Sequence, residues 1–71
     1  MLPADIARTR RALGLTQQQF AEVCGLTHWN SVHRWESGTR SPYGARTPVL
    51  EALHRLVEIM EERDGSNRMG G

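Results

Sequence analysis

The sequence predicts an all-α domain of four helices, and three observations carry that prediction. Apolar residues recur at helical spacing in four separate stretches. Glycines at positions 14, 25 and 38 close the first three of them, where helices commonly end. Thr16 opens the second stretch with Gln19 three residues later, the pattern of a capping box.

Each element follows from its residues. The first helix is expected over Pro3 to Leu13, since proline fits a first helical position whose N–H has no partner anyway. Leu2, Ile6 and Leu13 share its inner side with Thr9, where an aliphatic residue would be expected. The second helix starts after Thr16, with Phe20, Val23 and Cys24 facing inward and the small Ala21 at a point of close approach. The third is expected over His28 to Ser37, with Val32 and Trp35 inward and Leu26 helping from the turn. The fourth is expected from Pro48, capped by Thr47, to Arg63. Its apolar positions cover nearly half its circumference, whereas a surface helix needs a stripe only somewhat wider than ~100°. Either all of it packs internally, or one edge covers the core and the rest forms a second surface. Residues 64–71, DGSNRMGG, have the composition of a disordered tail. The domain is thus residues 1–63, with the fourth helix at about 48–63.

Composition narrows the function. A chain of 71 residues is one small domain. A core of that size supplies only about 3–5 kcal/mol without help. Cys24 is the only cysteine, and the three histidines lack metal-ligand spacing, so no disulfide, metal or cofactor is expected. Oligomerisation is left as the source of extra stability. No apolar run approaches the roughly 20 residues that span a bilayer, and the N-terminus lacks the order of a signal peptide. A soluble, cytoplasmic protein is expected. The net charge is +1, but six arginines face three acids through Pro48, and three arginines face five acids beyond it. A basic body and an acidic last helix suggest two jobs. No nucleophile–base arrangement, phosphate-cradling loop or paired acids suggest an enzyme.

The residues Leu15-Thr-Gln-x-x-Phe-Ala-x-x-Cys-Gly-Leu26, followed by Val32-x-Arg-Trp-Glu-x-Gly38, resemble the lambda-repressor and Cro-like (Xre-like) helix-turn-helix family. The likeness covers about residues 6–42. Three features depart from the family pattern. The stretch between Gly25 and Trp35 is one residue longer, the extra residue lying in His28–Asn30. No fifth helix follows the fourth, and Thr9 replaces an aliphatic. The short four-helix form is similar to the DNA-binding part of some antitoxins and of phage regulators encoded beside anti-CRISPR genes.

The resemblance implies a regulator, phage or bacterial, that binds double-stranded DNA by placing the third helix in the major groove. Counted from Val32, the base-reading positions are Trp29, Asn30 and Arg34. Arg34 suits guanine and Asn30 suits adenine, while Trp29 either meets a thymine methyl or holds the longer turn. Arg34 has a competing role in an ion pair with Glu36 or Asp5. Gln17, His28, Ser31, His33, Arg40, Ser41 and Arg46 are candidates for the DNA backbone, Gln17 standing against a solvated first-turn role. Glu36 is expected to receive donors within the fold. Leu53, Leu56, Val57, Ile59 and Met60 are candidates for a homodimer, so that paired units read an inverted repeat as a repressor, one that controls its own operon. The alternative is an antitoxin or adaptor whose main partner is a protein such as a toxin, working through the fourth helix.

Overall fold

The computed structural model describes the backbone of residues 1–70 and the side chains through Asp64. All four of its elements are helices: α1 (Pro3–Ala12), α2 (Gln17–Val23), α3 (Asn30–Ser37) and α4 (Arg46–Gly70). α1 packs against both α3 and α4, and α2 packs against α3.

Local chemistry explains most of the boundaries. Leu2 is the extended N-cap of α1, and Asp5 accepts its N–H at 3.1 Å. That position leaves the Leu2 side chain in solvent, not on the inner face the spacing suggested. The capping box of α2 forms fully: Thr16 Oγ1 accepts from Gln19 N at 3.1 Å, and Gln19 Oε1 accepts from Thr16 N at 2.9 Å. α2 closes through Gly25, whose φ of 78° lies in the left-handed region that L side chains avoid. The bonds Gly25 N–H to Glu22 O and Leu26 N–H to Ala21 O then turn the chain and bring Leu26 onto the core.

α3 begins at Asn30, two residues later than the spacing predicts, so the extra residue lengthens the turn. Its N-cap, Trp29, makes no side-chain cap. His28 Nδ1 instead accepts the Asn30 N–H at 3.3 Å. α4 begins at Arg46, which places Thr47 inside the helix rather than at its cap. Pro48 is then the third helical residue, still within the turn whose N–H groups need no helical acceptor. The helix passes Arg63 and reaches Gly70, where the composition suggested a tail from residue 64. After Pro48 no proline interrupts its hydrogen-bond ladder. Gly71 and the side chains from Gly65 onward lie outside the described residues.

The core is Ile6, Phe20, Ala21, Cys24, Val32, Trp35 and Leu50, with Leu13, Leu15, Leu26 and Leu53 packed against it. Val23, expected inside, is 51% exposed because Cys24 and Phe20 already occupy the inner arc of a helix this short. Thr9 is fully buried, and its Oγ1 has no hydrogen-bond partner. A buried hydroxyl left unpaired costs about 1–3 kcal/mol. Thr9→Val keeps the shape and removes that group, so it is expected to raise stability by about 1 kcal/mol. Urea unfolding checks this, and a loss of stability would show that the hydroxyl is satisfied.

Candidate nucleic-acid interface

The exposed side of α3 is built by what its other side buries. Val32 and Trp35 lock the helix onto the core. At about 100° per residue, Asn30, His33 and Arg34 then fall on the opposite arc, and all three are exposed. Trp29 sits at the mouth of this rim, 41% exposed and outside the core. Its ring lies between two imidazoles, 5.7 Å from His28 and 5.7 Å from His33, the latter edge-on. The longer turn therefore presents an aromatic cluster beside Asn30. The structure brings the expected base-reading residues Trp29, Asn30 and Arg34 onto one rim, with His28 and His33 next to them.

Arg34 does not pair with Glu36 or Asp5. Glu36 is taken by Arg10, whose Nε donates to Oε2 at 2.6 Å and whose Nη2 donates to Oε1 at 3.3 Å. The same arginine donates from Nη1 to the Leu15 carbonyl at 2.9 Å. Asp5 is occupied by the Leu2 N–H. Gln17 is half-buried and donates to Glu36 Oε1 at 3.2 Å, which commits one of its two amide hydrogens inside the fold. The sequence anticipated that Glu36 would receive such donors, but nothing in it singles out Arg10 as one of them. Its partner lies 26 residues away, so no local pattern points to it.

Beside the rim lies a pocket of about 160 Å³. Ser31 and Arg34 line it from α3, Arg40, Ser41 and Tyr43 from the connecting loop, and Arg46 from the first residue of α4. Trp35 and Leu26 contribute apolar wall. Four of the expected backbone contacts, Ser31, Arg40, Ser41 and Arg46, thus share one concavity, and Gln17 is not among its lining residues. Tyr43 is an addition with no motif to mark it. Arg46 reaches inward as well. Burial pushes the Cys24 thiol above its ordinary value, and the Arg46 charge pulls partly the other way.

A Helix-turn-helix family model matches residues 6–42, just over half of the chain. The chain belongs to the helix-turn-helix family. It is of the lambda-repressor and Cro-like kind that the motif suggested, and a DNA-binding regulator in the general sense of that family. No curated protein and no solved structure matches it. In this helix-turn-helix chain, α2 and α3 are the paired helices, and the matched segment ends at Pro42, inside the loop that builds the pocket. No helix among the described residues is long and apolar enough to cross a membrane.

Proposed function

We propose that the protein is a dimeric repressor that reads an inverted repeat through the major groove, acts at its own operon and catalyses no reaction. The observation that carries this reading is the exposed polar rim of α3, held rigidly from behind by buried Val32 and Trp35. Asn30 and Arg34 carry the donors and acceptors that distinguish bases, while Trp29 supplies an apolar edge. The arginine-lined pocket and the two histidines beside the rim offer donors suited to flanking phosphates.

The dimer rests on α4. Leu56, Ile59 and Met60 are 46%, 39% and 43% exposed, and Val49 continues their stripe. Leu53 borders it against the core, whereas Val57 is buried within the chain and offers nothing to a partner. Arg55 and Glu62 flank the stripe on the edge away from the core, two helical turns apart. Neither is ion-paired among the described residues, whereas Glu61 binds Arg8 and Glu58 binds His54. A two-fold axis between antiparallel copies of α4 sets each Arg55 beside the partner's Glu62, so this edge complements itself. Paired helix-turn-helix units read half-sites about 34–36 Å apart. A toxin-like protein partner would use the same stripe.

The test is a gel shift with DNA from upstream of the protein's own gene. Asn30→Ala and Arg34→Ala are expected to lower specific affinity by about 1–3 kcal/mol each and relax the preference at one base position. Equal binding of parent and variants to all sequences would refute base reading, and retained capture of a protein partner would then favour the adaptor role.

A further inference from the structure

We infer that His28 is a positioning residue for the proposed base contact of Asn30, and that it acts only while its imidazole is neutral. Trp29 already has helical angles, φ −67° and ψ −18°, and offers no side-chain cap. His28 therefore stands just before the first turn, where a capping side chain belongs. Its Nδ1 accepts the Asn30 N–H at 3.3 Å, two residues on. An asparagine or aspartate oxygen makes the same closure in an Asx-turn. The bond satisfies one of the four N–H groups that a helix start leaves without a partner. It also fixes the backbone from which the Asn30 side chain projects onto the exposed rim.

An imidazole gives this cap a property that the threonine cap of α2 lacks. Thr16 Oγ1 accepts from Gln19 N–H with lone pairs that no proton takes at ordinary pH. Nδ1 of His28 accepts only while it carries no proton, so the bond selects the neutral tautomer with its hydrogen on Nε2. Imidazole gains a second ring proton across about pH 5–8, and both nitrogens are then donors. The cap is complete above that range and is lost as pH falls through it. The ionisable side chains of the neighbouring elements do not counter this. On α2, Glu22 accepts from Gln18 at 3.4 Å, and Cys24 at its end is buried. On α3, Glu36 is held by Arg10 of α1, and the Trp29 ring stands between His28 and His33. Asp5 of α1 holds the Leu2 N–H. None of these, nor Arg34, pairs with His28 among the described residues. A histidine that served the DNA backbone by its charge would show the opposite sign, binding more tightly in acid. The DNA consequence rests on the proposed reading of a base by Asn30, and the cap does not.

The experiment uses the full chain in two arms at constant ionic strength. In the first, DNA from upstream of its gene and unrelated DNA are titrated at about pH 8 and about pH 5. The proteins are the parent, His28→Asn, His28→Ala and Asn30→Ala. The parent is expected to lose about fivefold in specific affinity per half-site in acid, the effect of one missing helix cap. Its affinity for unrelated DNA should hold or rise. His28→Asn supplies an uncharged acceptor at the same spacing, so its specific affinity should exceed that of His28→Ala about fivefold and change little with pH. In Asn30→Ala the acid loss should shrink, because the side chain being positioned is gone. In the second arm, without DNA, the Asn30 N–H resonance is followed by NMR over the same range. It should move with the His28 ring in the parent and stay in place in His28→Asn. Specific binding that tightens in acid overturns the inference, as does an acid loss that survives in His28→Asn, where His33 is still present. A chain that binds no specific DNA sinks the repressor reading, and the second arm then decides the cap. Movement of the Asn30 resonance with the His28 ring upholds it, and a fixed resonance overturns it.

Discussion

Replacing Ile59 and Met60 together with glutamate is expected to leave a folded monomer that binds its operator about a hundredfold more weakly. Both side chains are partly exposed and lie outside the core cluster, so new charge there leaves the core untouched. In a dimer the same positions would bring four carboxylates into an apolar seam, where unpaired charge is strongly disfavoured. Losing the second unit removes the gain of linked binding, about 10²–10⁴ in affinity. Sedimentation with a gel shift on the whole inverted repeat and on a half-site measures both parts. The half-site affinity should match the parent's, because the α3 rim is unchanged. A parent that sediments as a monomer, or a variant that still pairs, would remove α4 from the dimer account.

Glu36→Ala is expected to cost about 2–3 kcal/mol of stability, because removing one partner of a largely buried ion pair strands the other. The Arg10 and Glu36 side chains are 15% and 10% exposed, so solvent screens them little. Gln17 loses its acceptor as well. A core of this size supplies about 3–5 kcal/mol, so the variant should lie near the edge of folding. Arg10→Met combined with Glu36→Leu should recover much of the loss, since an apolar pair leaves no charge without a partner. Urea unfolding followed by circular dichroism tests both variants. A cost below about 1 kcal/mol for Glu36→Ala would place this pair with surface ion pairs that contribute little.

What could be read from the sequence was local. Thr16 and Gln19 announce their own capping box, Gly25 its own turn, and Val32 with Trp35 the buried side of α3, because each signal lies within a few residues of its effect. The rim residues follow from that buried side by rotation alone. The family match adds the general role and is silent on operator or partner. Features set by distant residues were not legible. Gln17 looked free until Glu36 arrived from 19 residues away, and Arg10 gave no sign of its partner. Val57 and Leu56 are adjacent and both apolar, and only the packing of α4 decides which is covered. The pocket is hidden from the sequence for the same reason, since its arginines lie on three segments whose convergence no spacing records.

One carboxylate, Glu36, holds Arg10 of α1 and Gln17 of α2 while itself standing on α3. The three helices are thereby cross-braced at a single node, and α3 cannot tilt or slide without breaking bonds to both neighbours. A reader built this stiffly leaves any adjustment of fit to the duplex. For the proposed dimer on an inverted repeat, stretches that roll or unstack easily between the half-sites should therefore be preferred, and stiff A-tracts at the dyad should be disfavoured.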